Sequence, residues 1–139
     1  AGVVSNLRAY VESHKKYRWV IVGVNVGESS PEEKCHRLKD ALWWRTRLWD
    51  EHKAPSMAGL DRKVAEKLVN ELSTPIYAPN DSGLIEVESK KQLRKRGIKS
   101  PNLADALVHT FQWEAMKPMT DDTPQWMKAR QGGSSSMVG

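Results

Sequence analysis

Between residues 89 and 99 the chain carries Lys90, Lys91, Arg94, Lys95, Arg96 and Lys99 with no acid among them. Cations at this density can neutralise several phosphates of a nucleic-acid backbone. The same residues also make an ordinary solvated helix surface. Asp105 follows shortly after, with His109 one helical turn beyond it. A carboxylate beside a cationic strip is what metal-assisted phosphodiester hydrolysis uses: the acid holds Mg²⁺ or Mn²⁺ while the cations position the backbone. An exposed acid of no special role has the same sequence, and one carboxylate does not make a two-metal site. His109 reads as an Mn²⁺ ligand, as a group supporting one, or as polar surface. Glu28, Glu86 and Glu88 are further acids with a simpler structural reading. Trp43, Trp44 and Trp49 can stack on bases, but core packing is the expected use. Cys35 has no activating neighbour and reads as a small core residue.

These groups must be positioned by helices and strands. Leu103, Leu107 and Phe111 form the apolar side of a helix opened by Ser100-Pro101 and running to about Met116, which turns Asp105 and His109 toward a polar face or cleft rim. Ser89 with Gln92 makes a capping box for a short basic helix, and Gly97 stops it. Upstream, residues 75–78 and 84–87 flank the turn formers Pro79 to Gly83, which predicts a hairpin. A helix over about 60–72 carries Leu60, Val64, Leu68 and Leu72 on one side. A longer one begins at Ser30-Pro31-Glu32-Glu33, a further capping box, and runs to Lys53 before Pro55. Its core contacts are Cys35, Leu38, Ala41, Leu42, Leu48 and Trp49. The β-branched run from Arg18 to Gly27 predicts a strand buried on both faces. Before it, Val3, Val4, Leu7, Tyr10, Val11 and His14 form one face of an amphipathic helix, with Arg8 and Glu12 opposite. The periodicity starts at residue 3 with almost no entry turn, so the chain reads as beginning in mid-domain. Helix followed by buried strand argues for an α/β domain.

Composition sets the outer bounds. The 139 residues amount to one domain, with 39% apolar residues, 28% charged residues and six Trp, a folding composition. No apolar run reaches the ~18–20 residues of a membrane span, and no secretion signal precedes the first helix. One cysteine excludes an internal disulfide as well as Cys₄ and Cys₂His₂ zinc sites. The net charge of +5 favours an anionic partner. Residues 117–139, rich in Pro, Asp, Gly and Ser, are expected to be a disordered C-terminal tail.

The order of four motifs resembles the nuclease domain of tailed-bacteriophage terminase large subunits over about residues 1–115. They are Val22-Gly-Val-Asn-Val-Gly-Glu28, Leu42-Trp43-Trp44, Glu88-Ser-Lys-Lys-Gln-Leu-Arg-Lys-Arg-Gly97 and Ser100-Pro-Asn-Leu-Ala-Asp-Ala-Leu-Val-His-Thr-Phe111. The last is the most specific. The resemblance implies an RNase H-like fold over 1–116, a mixed central sheet flanked by helices, and a two-metal endonuclease (Mg²⁺ or Mn²⁺) that cuts concatemeric double-stranded DNA during genome packaging. It implies the terminase small subunit and the portal protein as partners, no membrane, and the cytoplasm of a bacterial host. Of the family's three metal-holding acids only the third matches, as Asp105. The opening strands that carry the other two have no counterpart here, and Asn102 stands where many members have Asp. Lys90 matches a position suited to phosphate contact. No Gly-x-x-x-x-Gly-Lys-Ser/Thr loop occurs, so ATP hydrolysis by this chain is not expected. A sheet without its opening strands would leave an unpaired edge along Val20–Val26 and invite self-association. The competing reading is a non-catalytic DNA-binding or packaging-assembly module that uses the Lys90–Lys99 strip.

Overall fold

The computed structural model describes residues 2–14, 16 and 19–112. Among the described residues, five helices and one small sheet make a mixed α/β arrangement: α1 (Val3–Ser13), α2 (Leu38–Lys53), α3 (Arg62–Ser73), β1 (Tyr77–Pro79), β2 (Ile85–Val87), α4 (Lys90–Lys95) and α5 (Asn102–His109). Among the described residues no helix is long and apolar enough to cross a membrane.

The hairpin follows from its turn. The Asn80 side-chain carbonyl accepts from the N–H groups of Ser82 and Leu84, both at 3.0 Å. Gly83 takes φ +76°, a left-handed conformation that costs glycine little. The strands then pair antiparallel in the register Tyr77↔Val87, Ala78↔Glu86 and Pro79↔Ile85.

The core forms where α5 crosses α2. Leu38, Leu42, Val108 and Phe111 are buried together, with Val24, Trp43, Trp49 and Leu107 packed around them. Trp49 and Phe111 meet at 5.4 Å between ring centroids, so Trp49 is a packing residue. Ala104 and Val108 face inward on α5, whereas Leu103 and Leu107 are only half-buried. The helix ends at His109 with Thr110 as its cap. The extension expected to Met116 and the expected tail, residues 117–139, lie outside the described residues.

Three expectations are corrected. The helix expected from Ser30 begins at Leu38. Ser30 instead closes a local turn, its hydroxyl accepting from the Glu32 N–H at 2.9 Å. Residues 34–36 run beside β2: Ile85 donates to the Lys34 carbonyl at 2.7 Å, and His36 donates to the Ile85 carbonyl at 3.0 Å. Backbone pairing with a distant strand satisfies the groups that a helix would otherwise have satisfied locally, so it overrides the capping signal. Cys35 is thereby sealed in at 3% exposure, and burial, reinforced by the Glu32 and Asp40 carboxylates, raises its pKa to about 12. It stays a thiol, not a nucleophile.

The expected strand over 18–27 is not a strand among the described residues; 19–25 have no regular secondary structure, and Trp19, Val20 and Val22 are exposed. A strand needs partners for its N–H and C=O groups. Among the described residues, the Ile21 carbonyl accepts from the Arg8 Nε at 3.2 Å and the Val26 carbonyl from the Lys39 N–H at 3.1 Å, contacts to a side chain and a helix start and not to a neighbouring strand. Accordingly the larger mixed sheet is not found among the described residues; the sheet present is the two-stranded hairpin.

Finally, α1 buries none of its residues. Val4 rests against Gly23, where a β-carbon would sit 3.5 Å from its methyl. Arg8, expected on the polar face, turns toward Ile21, while Val3, Leu7 and Tyr10 face outward.

Candidate functional site

Two local signals and one tertiary contact place the basic helix and the acid side by side. The capping box opens α4: Ser89 Oγ accepts from the Gln92 N–H at 3.2 Å, and Gln92 Oε1 accepts from the Ser89 N–H at 2.7 Å. Gly97, at φ +75°, ends this short helix, and Leu93, 2% exposed, anchors it. The N-terminus of α5 is held from outside its own sequence. The Glu71 carboxylate on α3 accepts from the N–H groups of Leu103 at 2.6 Å and Ala104 at 3.0 Å, doing from a neighbouring helix what a capping residue does locally. Replacing Glu71 with alanine is expected to cost about 1–2 kcal/mol of stability, readable by urea titration, with Glu71→Gln in between.

Lys90 and Asp105 then meet, Nζ to Oδ2 at 2.7 Å, with side chains 55% and 21% exposed. They share a cleft of about 410 Å³, whose walls include Lys39, Trp43, Glu86 and His109. Asp105 is at the cleft rim, as its helical phase predicts. His109 is exposed at the same cleft and Glu86 lies across it. Glu88 is committed to Arg96 and to the Ile76 N–H, which removes Arg96 from the set of uncommitted cations. Lys91, Arg94, Lys95 and Lys99 are exposed. Glu28 is exposed outside the cleft lining, and its backbone carbonyl receives the Leu38 N–H at 2.8 Å.

The tryptophans separate by role. Trp43 packs on the core and lines the cleft. Trp44 meets Tyr77 edge-on at 5.8 Å, and the Arg47 guanidinium lies over both rings, which ties α2 to the hairpin.

Lys39 is a site residue that sequence reading missed. Its Nζ donates to the carbonyls of Val87 and Glu88, each at 2.9 Å. Burial lowers its pKa, with Lys90 acting in the same direction, while Asp40, Asp105 and Glu86 pull it back up. In the sequence it is one lysine within the helix expected from Ser30 to Lys53, indistinguishable from a surface cation. Only the approach of β2 shows that it is fixed.

The residues present do not fit a metal centre by themselves. Among the described residues no three His, Cys, Asp or Glu side chains converge, and Asp105 is already paired with the Lys90 ammonium. A two-metal site needs several converging oxygen or nitrogen ligands. What the cleft does offer is the anchored Lys39 and the more exposed Lys90 beside a carboxylate, positive charge of the kind that contacts a phosphodiester backbone. In comparisons with known proteins, no family model matches the chain and no curated protein does.

Proposed function

We propose that the cleft between α2, β2, α4 and α5 is the DNA-backbone site of a nuclease domain resembling those of tailed-phage terminase large subunits, with an RNase H-like core. The observation that carries the reading is the meeting of Lys90 and Asp105 in one cleft. They come from two separate motifs of the resemblance, and their meeting at one cleft supports reading those motifs as parts of one site. Under this reading the substrate is double-stranded DNA. The terminase small subunit and portal protein are the assembly partners, and the setting is the cytoplasm of a bacterial host. Asp105 is the family's metal-holding acid, yet the described residues do not complete a metal site, so no hydrolytic step is derived from them. Lys90 and the exposed Lys91, Arg94, Lys95 and Lys99 bind backbone phosphates without reading sequence.

The test combines binding and cleavage. The chain is titrated onto a short DNA duplex at low salt, and supercoiled plasmid is incubated with it in Mn²⁺, in each case beside Asp105→Asn. Expected are salt-sensitive binding by both proteins, equal or slightly tighter for Asp105→Asn because a repelling carboxylate is gone, and no nicking by either. Nicking by the original chain but not by Asp105→Asn would show that these residues do complete a metal site. Absence of binding at low salt would sink the DNA reading altogether.

A further inference from the structure

Within that DNA-binding reading, we infer that Lys39 is the fixed phosphate-positioning residue of the cleft, presenting one ammonium N–H to the DNA backbone from a mount built by β2. An ammonium has three donors. Two of those on Lys39 are spent on the carbonyls of Val87 and Glu88. The third has no partner among the described residues, and the side chain lines the cleft that Lys90 and Asp105 share. Two anchoring hydrogen bonds remove the rotational freedom that a surface lysine loses only on binding, so a phosphate meets a charge already in place. Lys90 differs in both respects: it is more exposed, and its charge is answered by Asp105. Lys91, Arg94, Lys95 and Lys99 are exposed and hold DNA without fixing where it sits. Lys39 is half-buried and, among the described residues, hydrogen-bonded only to neutral carbonyls, with no direct ion pair, so its remaining N–H is placed to donate to an anion entering the cleft, and a phosphodiester oxygen has the matching chemistry.

A purely structural lysine, a strut between α2 and β2, makes the same two hydrogen bonds, so the test must separate strut from phosphate contact. Affinity for a DNA duplex is measured against salt concentration for the original chain, Lys39→Met and Lys39→Arg, with a thermal melt of each. Loss of one phosphate contact lowers the slope of log K against log salt by about 0.9. That loss is expected for Lys39→Met, with the slope restored in Lys39→Arg. An unchanged slope in a folded Lys39→Met, with only a lower melting temperature, overturns the inference and leaves the DNA reading intact. Failure of the original chain to bind DNA at all removes both. If Lys39→Met does not fold, reductive methylation of the unmutated chain decides. Modification of Lys39 that DNA suppresses is the expected result, and equal modification with and without DNA overturns the proposal.

Discussion

Truncation of Glu32 to alanine is expected to destabilise the fold by about 3–5 kcal/mol, the cost of leaving a buried guanidinium without its partner. Glu32 Oε1 accepts from both Nε and Nη2 of Arg45 at 2.6 Å, with the two side chains only 14% and 7% exposed. A domain of this size holds about 5–15 kcal/mol in all, so one substitution removes a large fraction. The loop from Ser30 to His36, which the pair clamps onto α2, should then release from β2. Urea unfolding measures the loss. The exposed pair Arg62–Glu66, at 90% and 59% exposure, is the control, because breaking it should change stability by less than about 1 kcal/mol. The pair is also expected to be replaceable: Glu32→Leu with Arg45→Met should recover much of what Glu32→Ala loses, since neither charge is then left buried alone. A double variant as unstable as the single one would mean that the hydrogen bonds, and not the orphaned charge, set the cost.

The second large effect belongs to Asp40. Its carboxylate is 2% exposed and joins two elements, accepting from the Arg37 N–H at 2.9 Å and from the Val87 N–H at 2.8 Å. Asp40→Ala is expected to cost about 3 kcal/mol, because Val87 is left with a buried donor and α2 loses a bond at its first turn. Asp40→Asn keeps an acceptor and should cost roughly half as much. The consequence reaches the cleft: the Val87 carbonyl that holds Lys39 moves with the strand that Asp40 secures. Hydrogen exchange at the Val87 amide reads this directly, with protection expected to fall in Asp40→Ala well before global unfolding. Unchanged protection would show that the hairpin stays docked through its other contacts, the Lys39 hydrogen bonds and the pairing of Ile85 with residues 34–36 among them.

Legibility from sequence follows the range of the interaction concerned. Ser89, Gln92 and Gly97 bracket α4, and the groups that cap and stop it lie within it or next to it. The end of α2 at Lys53, with Ala54 left-handed ahead of Pro55, is equally local. So is the turn built on Asn80 and Gly83. The misplaced helix start at Ser30 is the opposite case: its capping signal is real and lost to backbone pairing with Ile85, some fifty residues away. The run from Trp19 to Asn25 has strand composition, yet composition cannot supply the neighbouring backbone that a strand requires.

From the sequence alone one can determine the basic strip, an acid turned to a polar face or cleft rim, the hairpin, the buried face of α2 and the resemblance that suggests what they are for. Each rests on residue type and short-range spacing. The tertiary structure alone decided that Lys90 faces Asp105, that Glu71 caps α5, that Asp40 and Lys39 hold β2, and that Glu32 is the counter-ion of Arg45. The reason is physical. A buried charge or an orphaned N–H demands a partner but carries no address for it, and the address is set only when packing brings separate elements together.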